Sequence, residues 1–457
     1  MEQKREKLGS RLGFILLSAG CAIGMGNVWK FPWMTGQYGG AAFVIIYIIF
    51  LVILGLPVMT VEFTLGRAAQ KSPVKMYQEL EPKGSKWHIH GIAAYVANWL
   101  LMMFYTVVTG WMFYYFISMI TGKFEGSNPD AIEAYFGNMV SSPKILIISA
   151  AVVVVLGFVI LAMGVQNGLE KVTKVMMVML LGLMVVLAVN SFTLPGGGEG
   201  LKFYLLPNLD NMKAAGIGNV VVAAMNQAFF TLSLGIGSMA IFGSYLDKER
   251  SLLGEAVNVT ILDTFVAICA GLIIFPACSA FGVDAGAGPS LIFVTLPNIF
   301  VDMRGGRIWG SLFFLFMSFA AFSTILAVYE NIVACTMELF NIPRKKACVF
   351  CGLAMFVLAL PCALGFNVWS GFQPLGEGTG VMDLEDFLVS NISLPIGSLI
   401  FVLFVTLRKG FGWDKFLEEA NTGVGLKFPK WIKPYLQYVL PVIILVIFVM
   451  GMISIFG

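Results

Sequence analysis

Eleven apolar runs divide this 457-residue chain, centred near Ala22, Leu54, Tyr105, Val153, Leu180, Thr231, Ala267, Phe322, Met355, Ile396 and Leu445. A helix needs about 20 largely apolar residues to cross the hydrocarbon of a bilayer. In lipid every backbone polar group must be satisfied within the protein, so such runs predict an all-α polytopic membrane protein. Composition agrees: 12% of residues are charged, against about 25% in a soluble domain. A net charge of +3 is too small for a nucleic-acid surface, and no nucleic-acid partner is expected.

Basic residues assign the sides. Lys4, Arg5, Lys7 and Arg11 precede the first span; Arg67, Lys71, Lys75, Lys83 and Lys86 follow the second. Arg344, Lys345 and Lys346 follow the eighth, and Arg408, Lys409, Lys415, Lys427, Lys430 and Lys433 lie between the tenth and eleventh. The alternate loops carry fewer, which predicts a cytoplasmic N-terminus and an extracytoplasmic C-terminus. MEQKREK and its apolar sequel have the look of a signal sequence. Their small residues lie inside a longer apolar segment with many spans after it, so they read as the first span.

The Gly/Pro-rich loops 195–212 and 283–306 fall outside by this count, the second being long enough for a helical hairpin acting as a lid. His88 and His90 occupy a short juxtamembrane stretch and are expected to be solvated. Cys348 and Cys351 form a CxxC without a second pair or a nearby histidine. They read as ordinary buried thiols, since zinc sites usually need four ligands. Residues 1–457 are expected to form a single membrane domain.

A repeat lies within the spans. The first contains Gly24-Met25-Gly26-Asn27 and the sixth Gly235-Ile236-Gly237-Ser238, each a GxG followed by an amide or hydroxyl residue. These spans head five-span halves, and because five is odd the second half starts on the opposite side. Inverted halves of about residues 8–192 and 214–408 are expected, with an additional helix at 433–456. Paired, glycine-interrupted helices at corresponding places point to a midplane binding site. Unwinding frees carbonyls that suit a hard cation such as Na⁺ and N–H groups that suit a carboxylate.

Acids inside spans mark function unless paired. Glu62 lies late in the second span and Asp263 well inside the seventh, with no local basic partner. Ser323 and Thr324 place adjacent hydroxyls in the eighth span, SFAAFSTILAVYEN. Glu330, in the same stretch, has no role legible in the sequence.

Together these residues resemble the neurotransmitter:sodium symporter family, with the leucine-transporter fold. The resemblance rests on KREKLGSRLGF, AGCAIGMGNVWKFP, VEFTLGR, NQAFFTLSLGIGS and MDLEDFLVSNI. Eleven spans rather than twelve resemble the bacterial branch, which implies a bacterial-type plasma membrane. By that resemblance the first sodium site falls on Ala22, Asn27, Thr231 and Asp263, completed by the substrate carboxylate. The second falls on the carbonyls of Gly20, Ile23 and Ala320 and the hydroxyls of Ser323 and Thr324. The substrate carboxylate would meet the Gly24–Met25–Gly26 backbone and Tyr105. Its amine would meet carbonyls of Ala22, Phe230 and Thr231, near Ser233. Leu101, Tyr105, Phe230, Ile236, Thr324 and Val328 would line the side-chain pocket, with the flexible Met25 leaving room for a ring.

The resemblance also implies gates: Lys30 with Asp386 outside, and Arg5 with Glu338 inside, near Ser244 and Tyr245. Glu62 would brace the break in the sixth span. Lys30 departs from the family's arginine, Leu8 from its tryptophan and Glu338 from its aspartate. Of the Gly-x9-Pro motif in the fifth span, Gly168 is present but Val178 replaces the proline. Animal members use chloride near the first sodium; Asp263 stands there instead, which implies chloride independence.

The expected function is sodium-coupled import of hydrophobic or aromatic L-amino acids by alternating access, with two Na⁺, no organic cofactor, and a monomer or weak homodimer. A channel, or an amino-acid sensor that moves nothing, is the alternative. HExxH is absent and no nucleophile–base pair stands out, so no enzymatic activity is expected.

Overall fold

The computed structural model describes residues 6–282 and 290–456. Among the described residues nine helices are long and apolar enough to cross a membrane. They are Ala41–Ala69, His88–Ile120, Pro143–Ala162, Val165–Phe192, Leu252–Ala280, Gly306–Phe340, Arg344–Gly365, Val381–Thr406 and Lys430–Ile453. These are the second to fifth and seventh to eleventh spans. The first span is a bent pair, Arg11–Ala22 and Gly26–Gln37, meeting at 51°. The sixth divides into Ile217–Thr231 and Ser238–Gly243. All eleven runs are therefore helical, and no strand occurs among the described residues.

Local chemistry explains the ends. Ser10 caps the first span, its hydroxyl accepting from the Gly13 N–H at 3.0 Å, which satisfies one orphan donor. The helix stops where Ile23 turns extended (φ −72°, ψ 94°). In the sixth span Gly235 and Gly237 adopt φ of 89° and 74°, a region open to glycine at no steric cost.

The eighth span is the axis, with 78% of its apolar stretch buried; the fifth and eleventh, at 33%, face outward. Exposed side chains on the outer spans are apolar, among them Val155, Val178, Leu353 and Val442, which is the surface a bilayer requires.

One expectation changes. His90 is buried, not solvated: its Nδ1 lies 2.8 Å from the Tyr77 hydroxyl and its ring packs against Phe401. The helix before it, Pro73–Leu80, folds back over the start of the third span and covers it. His88 stays half-exposed and faces Glu81. Glu330 gains a partner set that its sequence neighbours do not supply, since Arg344 holds both carboxylate oxygens at 2.7 and 2.8 Å. Of the expected lid, the described part is the helix Leu291–Asp302; residues 283–289 lie outside the described residues.

Candidate functional site

The two breaks face each other against the eighth span. Where the first helix ends, its carbonyls turn toward two hydroxyls. Thr324 Oγ1 lies 3.2, 3.3 and 3.4 Å from the carbonyls of Gly20, Cys21 and Ile23. Ser323 Oγ lies 3.0 Å from the Ala320 carbonyl and 3.4 Å from that of Ile23. Each hydroxyl carries one proton, so four carbonyls share two donors. Such a buried, oxygen-rich and proton-poor cluster suits a hard cation, which prefers oxygen ligands. Gly20, Ile23, Ala320, Ser323 and Thr324 are all brought together here, with Cys21 added.

A second cluster surrounds Asp263, which is fully buried. Asn27 Nδ2 donates to its Oδ1 at 2.8 Å and to its main-chain carbonyl at 3.0 Å. Thr231 Oγ1 is 3.1 and 3.3 Å from the two carboxylate oxygens, and the Tyr47 hydroxyl 3.5 Å from Oδ2. No basic side chain pairs with Asp263 among the described residues. Its charge, held in an apolar bundle, calls for a mobile cation.

Between the clusters the freed N–H groups are taken up. Met25 N donates to the Tyr105 hydroxyl at 2.8 Å and Gly24 N to Asn27 Oδ1 at 3.1 Å. Gly24 is required by closeness: a Cβ there would stand 2.2 Å from the Tyr105 hydroxyl and 2.4 Å from Thr324 Oγ1. Ala22, Gly26, Leu101, Tyr105, Phe230, Ser233 and Thr324, with Cys21 and Leu394, enclose about 10 Å³. That is room for about one water. Met25 instead lines a wider vestibule of about 290 Å³, which Phe230 also reaches. Ile236 and Val328 are buried but line neither space.

The vestibule floor is latched. Lys30 Nζ is 3.1 Å from both Asp386 carboxylate oxygens, 3.2 Å from Ser390 Oγ and 4.2 Å from the Phe230 ring centre. Phe230 lines both the small cavity and the vestibule, and so stands between them.

The opposite face is closed by the N-terminal segment. Gly9 N and Ser10 Oγ donate to Glu170 at 2.7 and 3.0 Å, Arg11 pairs with Glu255 at 2.9 Å, and Lys7 pairs with Asp247. Arg5 lies outside the described residues. Glu338 accepts from the Ser72 N–H and hydroxyl at 3.0 and 2.7 Å. Ser244 bonds back to Ile241. Tyr245 donates to Glu330 at 2.5 Å, which ties the end of the sixth span to the Glu330–Arg344 pair.

Glu62 holds the sixth-span break: its carboxylate accepts from Gly235 N at 2.6 Å and Met239 N at 3.2 Å. Sequence reasoning missed Asn98, whose amide donates to the Ile236 carbonyl at 2.8 Å, and Gln227, which donates to that of Gly26 at 2.7 Å. Asn98 is a lone amide inside an apolar run and Gln227 stands beside Asn226 in another, signals that could have found them. Tyr47 and Ser390 carry none, being one of many aromatics and one of many hydroxyls.

The profile of the Sodium:neurotransmitter symporter family matches residues 5–130 and 137–456. An uncharacterised sodium-dependent transporter of Bacillus subtilis is 33% identical over 98% of each chain. Another, from Methanocaldococcus jannaschii, is 32% identical over 96% of this chain and 89% of its own. Among solved structures, MhsT in complex with L-phenylalanine superposes with a TM-score of 0.89 at 36% identity, covering 98% of this chain and 100% of that one.

Proposed function

The chain belongs to the Sodium:neurotransmitter symporter family, a family of sodium-dependent membrane transporters, and from that premise we propose that it imports hydrophobic and aromatic L-amino acids with Na⁺ and without chloride. The observation that carries this reading is the pairing of two cation-suited oxygen clusters, one with a fixed carboxylate, across a small cavity at two helix breaks.

The cycle assigns each group a task. One Na⁺ takes the carbonyls of Gly20, Ile23 and Ala320 with the Ser323 and Thr324 hydroxyls. A second takes Ala22, Asn27, Thr231 and Asp263, where the carboxylate supplies the negative charge a chloride would otherwise bring. The amino acid places its carboxylate on the Gly24 to Gly26 backbone and the Tyr105 hydroxyl. The cavity is too small for a side chain, so entry requires Phe230 and Leu101 to move apart. Its walls are neutral and carry no basic residue, which disfavours acidic substrates. MhsT, solved with L-phenylalanine, supports room for a ring after that movement.

Lys30 and Asp386 form the outer latch, and the N-terminal segment with Glu170, Asp247 and Glu255 the inner one. The distribution of basic residues supports a cytoplasmic N-terminus in a bacterial-type cell, and the protein works as a monomer or weak dimer. Each Na⁺ entering gains about 2.3 kcal/mol per 100 mV.

Uptake of labelled phenylalanine, leucine and glutamate into proteoliposomes tests the reading. An inward Na⁺ gradient is expected to drive the first two equally well in chloride and gluconate. Uptake indifferent to the gradient would refute sodium coupling, and saturable binding without uptake would make the protein a sensor.

A further inference from the structure

The fourth and ninth spans pack side by side, and between them runs a groove of about 480 Å³. Uncharged side chains from residues 151–162 of one span and 348–356 of the other line it. Its floor, Phe158 and Cys348, is buried, whereas Val159 and Leu353 on its rims are exposed. Gly352 lets the two helices close beneath: a Cβ there would stand 3.3 Å from the Phe158 ring. That ring stacks on Tyr329 at 4.4 Å, and the Tyr329 hydroxyl meets that of Thr106 at 2.7 Å. The floor is thereby fixed to the eighth and third spans.

Length and charge decide the occupant. At 1.5 Å per residue the two lining rows run for about 16 and 12 Å, close to one leaflet of a hydrocarbon core about 30 Å thick. Both reach the face that carries the N-terminal segment: the fourth span finishes at Ala162, and the ninth begins at Arg344, which pairs with Glu6. Lys345 lies one turn before Cys348, and Lys346 one turn before Val349. Helix side chains lean toward the N-terminus, which places both ammonium groups at the groove's mouth. Arg344 is already taken by Glu330 and Glu6. Lys345 and Lys346 are exposed and pair with no acid among the described residues.

An apolar trough one leaflet deep, with two free cations at its end, complements a lipid that carries a negative headgroup. Basic pockets between spans bind such headgroups. A second copy of the chain is a poorer complement. Two copies cross the membrane in the same sense, so a self-complementary contact on this groove would set one lysine pair against the other.

We propose that the groove between the fourth and ninth spans binds an anionic phospholipid, with one acyl chain lying over Phe158 and Gly352 and the phosphate held by Lys345 and Lys346. The bound chain supplies the dispersion contacts that the hollow lacks and braces the fourth span against the eighth through the Phe158–Tyr329 stack. Its assignment to the cytoplasmic leaflet rests on the proposed orientation; the site itself depends neither on that nor on the substrate carried.

Native mass spectrometry of the purified full-length protein, delipidated and then titrated with phosphatidylglycerol or phosphatidylcholine, tests it. The wild type is expected to retain one phosphatidylglycerol about 10-fold more tightly than phosphatidylcholine. Lys345→Gln combined with Lys346→Gln should lower the phosphatidylglycerol affinity about 10- to 30-fold and leave phosphatidylcholine unchanged. Lys83→Gln with Lys86→Gln, two exposed lysines beyond the second span, should alter neither. Ala162→Leu, which adds bulk at the mouth, should weaken both lipids.

Equal retention of the two lipids by the wild type, equal affinities in the two lysine variants, or undiminished binding by Ala162→Leu would overturn the proposal. So would a dimer that Ala162→Leu dissolves, since the groove would then belong to a second copy. Should Ala162→Leu not fold, the comparison of the two lysine variants decides.

Discussion

The side-chain amide of Asn27 donates to both the carboxylate and the main-chain carbonyl of Asp263, at 2.8 and 3.0 Å. This contact joins the first-span break to the seventh span. It also means that a cation entering there must turn the Asn27 amide, exchanging its N–H donor for its oxygen. In the proposed site Asp263 is thus both the acceptor that anchors the Asn27 amide and the charge that a cation would neutralise.

Asp263→Asn keeps the shape and removes the charge. Uptake without chloride is expected to fall at least about 10-fold, since loss of a buried charge from an ion pair costs 2–5 kcal/mol, and added chloride should restore part of it. Paired uptake assays in chloride and gluconate measure this. Full activity of the variant in gluconate would defeat the charge argument.

Ser323→Ala removes one of the two hydroxyls from the four-carbonyl cluster without adding volume. The half-saturating Na⁺ concentration is expected to rise about 5–10-fold, the worth of one oxygen contact of about 1–1.5 kcal/mol. Maximal uptake at saturating Na⁺ should change far less. A Na⁺ titration of uptake separates the two quantities.

Gly24→Ala places a methyl 2.2 Å from the Tyr105 hydroxyl. Amino-acid binding is expected to vanish while the protein remains folded, because the cavity is local. Gly66→Ala behaves differently: its Cβ would stand 1.9 Å from the Ala240 carbonyl, a backbone that cannot yield, so the fold itself should fail. Size-exclusion profiles with a ligand-binding assay distinguish the two outcomes.

Arg344→Met strands Glu330, which is fully buried, and should destabilise the protein by about 3–5 kcal/mol. Replacing both partners, Glu330→Leu with Arg344→Met, should return most of that stability because no buried charge remains unpaired. Thermal unfolding in detergent checks both. By contrast Lys30→Met touches a partly exposed pair, with side-chain exposures of 18% and 37%. Such pairs contribute about 1 kcal/mol or less, so KM should change only a few-fold.

The run of apolar segments, the two GxG interruptions and the lone acids were readable in order along the chain, because lipid imposes its rules residue by residue. Glycines 24 and 235 marked breaks because they recur as paired GxG motifs at corresponding places in the two halves; a single glycine does not, since Gly66 and Gly110 lie in unbroken helices. The adjacent hydroxyls Ser323 and Thr324 were visible, but ambiguous without their partners. His90 shows where such reading fails: a histidine two residues from a half-exposed one is buried because the helix Pro73–Leu80 folds back over it, and no local pattern announces that return.

The sequence by itself determined that this chain is a membrane-spanning helical bundle with two interrupted spans, since hydrophobic length and backbone satisfaction in lipid are local requirements. Only the tertiary structure decided which atoms meet. It set Thr324 among three carbonyls, Asn27 upon Asp263 and Arg344 upon Glu330, contacts that span 14 to 304 positions along the chain. Hydrogen bonds act over about 3 Å, and only packing brings residues so far apart in the chain to that distance.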